Sequence, residues 1–156
     1  MNNLEVMFSS KTDQWATPQF FYDKLNAEFN FTLDPCADDI NHKCENYFTA
    51  VDDGLLQDWG GHTVFCNPPY GNQETGAWTK KCYEESLKPN TTVVLLIPAR
   101  TDRKSFHDYI CGKAEVRFVR GRLKFGDGKN TAPFPSMVVV FGERAQVSNI
   151  QTMQNN

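Results

Sequence analysis

The chain is expected to fold as one α/β domain, a three-layer αβα sandwich around a mostly parallel sheet with an antiparallel last strand. Three observations predict this. Apolar runs of strand length alternate with segments of helical period. The longest run, "TTVVLLIPA" (91–99), is uninterrupted and rich in β-branched residues, as expected of a strand covered on both faces. The last two strand-like runs, 115–119 and 136–141, have no helical segment between them, so an antiparallel return is expected.

Taken in order, Thr17 suits an N-cap and Pro18 the first helical position. Phe20, Phe21, Leu25 and Phe29 then recur at helical spacing, so an amphipathic helix is expected over 18–29. "FTLD" (31–34) reads as a short strand stopped by Pro35, and 35–46 as a polar loop carrying Asp38, Asp39, Asn41 and His42. "HTVFC" (62–66) is the next strand. After it come the turn Asn67-Pro68-Pro69-Tyr70, a loop "GNQETG", and a helix expected over 76–87 with Trp78, Cys82 and Leu87. Residues 103–111 read as a further helix. "RGRLKFGDGKNTAPFP", ahead of the last strand, reads as a connection too polar for the core. The domain is placed at 1–146, with 147–156 as a polar tail within the segment "QVSNIQTMQNN", expected to fray.

At 156 residues, with 40% hydrophobic and 13% aromatic content, the chain is long enough for a core of its own. It holds no apolar run of the roughly 18 residues needed to cross a bilayer, and its start lacks the basic and apolar regions of a secretory signal. No membrane association and a cytoplasmic location are therefore expected. Cys36, Cys44, Cys66, Cys82 and Cys111 are odd in number and never spaced C-x-x-C, so reduced thiols and no metal site are expected. Charge is divided unevenly. Residues 1–78 carry 3 basic against 12 acidic side chains, and residues 79–156 carry 13 against 7. The second half thus has an excess of positive charge, suited either to an anionic partner or to balancing the acidic half. Arg100, Arg103, Lys104, Arg117, Arg120, Arg122, Lys124 and Lys129 fall within it.

Ligands of open α/β sheets bind outside the carboxyl ends of the strands. Asp34-Pro35-Cys36-Ala37, Asn67-Pro68-Pro69-Tyr70 and Pro98-Ala99-Arg100 should therefore share one rim. Successive prolines give a stiff turn without N–H groups, so Asn67 and Pro68 offer carbonyl acceptors beside the aromatic face of Tyr70. A planar group with an exocyclic amine, such as adenine, satisfies all three. Both amine hydrogens can be accepted while the ring stacks, and drawing on both hydrogens frees the nitrogen lone pair for attack.

"DQWATPQFFYDKLNAEFNFTLDPCAD", "DDGLLQDW", "VFCNPPYG", "LLIPARTD", "RFVRGRLKFG" and "APFPSMVVVF" occur in this order. Together they resemble the phage-type DNA N6-adenine methyltransferase (Dam) family, over roughly residues 13–142. The resemblance implies a Rossmann-like class I methyltransferase that uses S-adenosyl-L-methionine and acts on double-stranded DNA. It implies catalytic roles for Asn67, Pro68, Pro69 and Tyr70, with Asn67 and Pro68 holding the target amino group and Tyr70 stacking on a flipped base. For the cofactor it implies Trp15 lining the cleft, Thr17 and Pro18 at the carboxylate end, Asp34, Cys36 and Ala37 at the first turn, and Asp53, or Asp52 beside it, at the adenine, with Asn67 adjoining. Cys36 and Ala37 stand where glycines are usual in such enzymes. Phosphate contacts are expected from Arg100, Arg103, Lys104, Arg120, Arg122 and Lys124. GATC is the recognition site the resemblance suggests, together with the host cytoplasm if phage-encoded and a role in protecting a phage genome from host nucleases; the sequence does not fix the oligomeric state, and a monomer is favoured. Two alternatives stay open: transfer to RNA or a glutamine amide, and a DNA-binding module that no longer catalyses.

Overall fold

A computed structural model describes residues 15–155. Helix α1 spans Gln19–Phe29 and buries Tyr22, Leu25 and Phe29. Pro18, not Thr17, is its N-cap, and the Pro18 carbonyl accepts from the N–H groups of Phe21 and Tyr22 at 3.1 Å. The cap expected of Thr17 fails because its hydroxyl has a distant partner, described below. Phe20, expected on the apolar stripe, is 70% exposed. The helix ends at Asn30 in the left-handed region, φ 56°, where Asn tolerates what most residues do not.

The strand expected over 31–34 is reduced to two parallel bridges, Leu33 with Val64 and Asp34 with Tyr47. Pro35, with no N–H and a fixed φ, stops the pairing there. Strands β1 (Thr63–Cys66) and β2 (Thr92–Pro98) pair parallel, β4 (Ser136–Phe141) pairs antiparallel with β2, and β3 (Glu115–Phe118) antiparallel with β4. The order β1-β2-β4-β3 makes an open, mixed four-stranded sheet. Strands β1, β2 and β3 share a direction and β4 opposes them. The last strand runs antiparallel as expected, but it lies between β2 and β3, so two of the three ladders are antiparallel and the ladders are not mostly parallel.

Alternation along β2 divides the core. Val93, Leu95 and Ile97 face one side with Trp59, Trp78, Cys82, Phe106 and Met137, while Val94 and Leu96 face the other with Tyr22, Leu25, Phe29 and Phe65. Helix α2 (Asn72–Ser86) covers the first side. It begins four residues before the expected 76, because the Gly71 carbonyl already accepts from Thr75 N–H (2.9 Å) and Asn72–Thr75 make the first turn. The helix expected over 103–111 is found over 104–110, its last five residues, Phe106–Ile110, widened and closed by Cys111 N–H on the Phe106 carbonyl at 2.8 Å.

The second side is completed by the segment expected to be too polar for the core. Leu123, Phe125, Ala132 and Phe134 are buried there, while Arg122 before Leu123 and Lys124 after it stay exposed. Alternation decides this outcome, not mean polarity, and a backbone bond from Ala132 N–H to the Leu123 carbonyl (2.8 Å) holds the two stretches side by side. The start of the polar tail is docked on the sheet. Ser148 N–H donates to the Ala114 carbonyl (3.1 Å), and the Ser148 hydroxyl accepts from Val116 N–H (2.9 Å) on the open edge of β3. Among the described residues no helix is long and apolar enough to cross a membrane.

Glu85, in α2, holds this frame to the loop before β1. Its side chain is 7% exposed, and Oε1 accepts from Trp59 N–H at 2.6 Å and from Lys88 Nζ at 2.8 Å. Burial pushes its pKa up, but the bonds from Lys88 and Trp59 and the charge of Lys81 outweigh this and leave it below the usual value. A carboxylate lowered on folding adds stability above its unfolded pKa and loses it as pH falls through the folded one. Glu85→Gln is accordingly expected to cost about 1–3 kcal/mol at pH 7 in urea denaturation, with the two proteins converging as the carboxylate is protonated.

Candidate active site

Strand β1 ends at Cys66, and the next residue, Asn67, is fixed at both ends of its side-chain amide. Asn67 Nδ2 donates to the Trp15 carbonyl (2.5 Å) and to Thr17 Oγ1 (2.8 Å). The Tyr70 hydroxyl donates to Asn67 Oδ1 and also lies 3.1 Å from the Leu96 carbonyl of β2. The Pro69 carbonyl is taken by the Thr75 hydroxyl at 3.2 Å, which ties the turn to the start of α2. Pro68 is buried between them. Burial holds the Tyr70 phenol well above its usual pKa, so it is a neutral donor.

Two aromatic residues that sequence reasoning missed frame this turn. Phe125 and Phe134 meet the Tyr70 ring edge-on, with centroids 6.0 and 5.6 Å away, and meet Trp15 in the same manner at 5.7 and 5.2 Å. The signal that could have found them is the apolar alternation Leu123-x-Phe125 and Ala132-x-Phe134 inside a polar stretch.

The residues assigned to the cofactor join the same rim by direct contacts. Asp34 is 5% exposed, with Oδ1 accepting from Cys36 N–H (3.2 Å) and Oδ2 from Lys43 N–H (2.9 Å). Burial raises its pKa, and the two N–H bonds, which favour the carboxylate, only partly offset this. Ala37 N–H donates to the Phe48 carbonyl (3.0 Å), and Cys36 Sγ lies 3.9 Å from Cys66 Sγ, directly before Asn67. Asp53 sits at φ 57° and accepts from Leu55 N–H (3.1 Å), opening the short turn Gly54–Leu56, while Asp52 accepts from Thr49 N–H at 2.9 Å. A Cβ on Gly54 would stand 2.3 Å from the Pro35 carbonyl oxygen. Only glycine lets the Asp53 loop close on the Asp34 turn.

The basic residues divide. Arg100, whose guanidinium lies 5.9 Å from the Phe134 ring, and Arg103, hydrogen-bonded to Asn72, line a depression shared with Tyr70, Thr75 and Met137. Lys104 lies on an outer groove and pairs with Asp108. Arg120, Arg122 and Lys124 are exposed along the segment that carries Leu123 and Phe125. Arg117, part of the same cluster in sequence, is bound bidentate to Glu28 at 2.7 and 2.8 Å. All five cysteines are free thiols, and no group of three metal-ligating side chains exists among the described residues.

The DNA N-6-adenine-methyltransferase (Dam) family model matches residues 6–155. The chain belongs to the Dam family. It is 28% identical over 151 residues to the DNA N-6-adenine-methyltransferase of Haemophilus phage HP1 (strain HP1c1), a match covering 92% of this chain and 86% of the phage protein. It is also 40% identical over 65 residues to YfdM of Escherichia coli (strain K12), named as a candidate methyltransferase, over 37% of this chain and 71% of that one. Within this Dam-family chain, the Asn67–Tyr70 turn lies at the carboxyl end of β1, next to Trp15, Thr17 and the Asp34–Ala37 turn.

Proposed function

We propose that this Dam-family protein transfers a methyl group from S-adenosyl-L-methionine to the N6 amino group of an adenine turned out of double-stranded DNA, on a class I, three-layer methyltransferase domain. The observation that carries the reading is the Asn67 amide, fixed at the end of a central-sheet strand beside Tyr70. Asn67 Oδ1 and the Pro68 carbonyl would accept the two hydrogens of the target amine, and the Tyr70 ring would lie against the base. The amine attacks as a neutral nitrogen and loses its proton afterwards, so the side chains have chiefly to align it.

The donor set of the rim fits the cofactor. Asp53 keeps a second carboxylate oxygen beyond the one bound to Leu55, Trp15 supplies an aromatic wall, and the glycine at 54 lets the Asp53 loop reach the Asp34–Ala37 turn. Trp15, Thr17, Pro18, Asp34, Cys36, Ala37 and Asp53 would hold the cofactor, with Asn67 adjoining it. When bound it supplies an activated methyl on a sulfonium. GATC as the target, a monomeric state and the host cytoplasm complete the proposal.

Incubating the purified protein with S-adenosylmethionine and unmethylated duplex DNA, then digesting and measuring N6-methyladenine by mass spectrometry, tests the reaction. RNA and protein extract beside it test the other acceptors. Methyl groups only in those lanes would refute the reading. Arg100, Arg103, Lys104, Arg120, Arg122 and Lys124 are assigned to phosphates on the strength of their exposure or their place beside Tyr70. Replacing Arg120, Arg122 and Lys124 together by alanine is expected to weaken DNA binding irrespective of sequence. The plot of log affinity against log salt should become shallower by about 0.9 for each phosphate that the variant no longer neutralises.

A further inference from the structure

An asparagine amide can sit in either of two orientations, and the choice decides whether Asn67 offers an acceptor or a donor to an incoming group. The Trp15 carbonyl settles it here. It can only accept, so the nitrogen edge of Asn67 must face it, and Thr17 Oγ1 takes the second proton of that nitrogen. The oxygen edge then meets the Tyr70 hydroxyl, which has one proton and the Leu96 carbonyl as its only other acceptor at 3.1 Å among the described residues. Turning the amide over would set two oxygens against each other at Trp15 and present N–H groups to the incoming amine. A donor would then face a donor.

We infer that the Trp15 carbonyl, the Thr17 hydroxyl and the Tyr70 hydroxyl are positioning groups that hold the Asn67 amide with its oxygen as the acceptor for the target amine. Tyr70 therefore serves through its hydroxyl as well as its ring. The inference rests on the proposed reaction for its consequence, though not for its geometry. Two features separate the hydroxyl's part from the ring's. The ring is held by Phe125 and Phe134, which make no use of the hydroxyl, so Tyr70→Phe leaves it in place. The segment that carries Trp15 and Thr17 is also tied down by Gly126 N–H on the Ala16 carbonyl (3.0 Å), so Thr17→Val removes one hydroxyl without releasing the chain.

The test compares wild type with Tyr70→Phe, Thr17→Val and Thr17→Ser for kcat, KM on unmethylated duplex DNA, Kd for S-adenosylmethionine and melting temperature. It also follows hydrogen exchange of the Asn67 side-chain amide by nitrogen-15 NMR, assigned by its absence from Asn67→Ala. Tyr70→Phe should lower kcat about tenfold, the size of one lost neutral hydrogen bond, with KM and Kd nearly unchanged, and Thr17→Val should lower kcat by a similar factor at saturating S-adenosylmethionine, whatever its Kd. Thr17→Ser should restore it, and the Asn67 amide protons should exchange slowly in wild type and quickly in Thr17→Val. Full activity of Tyr70→Phe, or a Thr17→Val defect in donor affinity in place of kcat, would overturn the inference. A wild type without activity on DNA would overturn the proposed reaction alone, and the amide then decides: fast exchange in wild type removes the positioning as well.

Discussion

Asn67→Ala is expected to reduce methyl transfer by at least about 10³-fold while the affinity for S-adenosylmethionine changes little. The substitution removes the acceptor that would hold the target amine, and with it the alignment on which an in-line displacement depends. Loss of donor affinity does not follow automatically, although Asn67 also bonds Trp15 and Thr17. The Trp15 ring stays packed on Phe125 and Phe134, and Ala16 stays bonded to Gly126, so the segment keeps two anchors independent of the amide. Calorimetry on the variant beside the mass-spectrometric assay checks both halves. A parallel fall in turnover and donor affinity would show that Asn67 acts mainly by building the donor site.

The sequence revealed most where one local rule acted alone. The run in β2 is apolar on both faces because both faces are covered, and nothing competes with that reading. The turn at Asn67 was legible for a related reason, since two prolines leave the backbone few choices. Where a distant partner intervened, local rules misled. Thr17 has the chemistry of a cap, yet its hydroxyl is taken by a residue fifty positions away. Gly71 and Asn72 have the composition of a loop, but with Pro69 held by Thr75 they open α2. The polarity of "RGRLKFGDGKNTAPFP", averaged over its length, hid the alternation that places Phe125 and Phe134 around Tyr70. Of the basic cluster, Arg117 answers to Glu28 and Phe29 on α1, a relation that counting charges could not reveal.

Gly54→Ala is the second change expected to have a large effect, and it acts on the fold and the rim together. The new Cβ would lie 2.3 Å from the Pro35 carbonyl oxygen and 2.9 Å from the tip of Trp78. The nearer obstacle is backbone and the farther a buried core side chain, so neither yields as a flexible surface side chain would. The Trp59 indole N–H also donates to the Gly54 carbonyl at 3.0 Å, and Trp59 is wholly buried, so a shift of the loop strains a core hydrogen bond. Overpacking of this kind costs about 1–3 kcal/mol, and the added strain on the Trp59 bond places Gly54→Ala at or above the upper end, measured by urea denaturation. Whatever loop movement relieves the contact must carry Asp53 away from the Asp34–Ala37 turn, because Asp53 is the adjacent residue and its carboxylate caps the same short helix through Leu55. Donor affinity should therefore fall in the fraction that remains folded, unlike in Asn67→Ala. The two variants thus separate the halves of the proposed site, one losing turnover with the donor still bound and the other losing the donor with the Asn67 amide still in place.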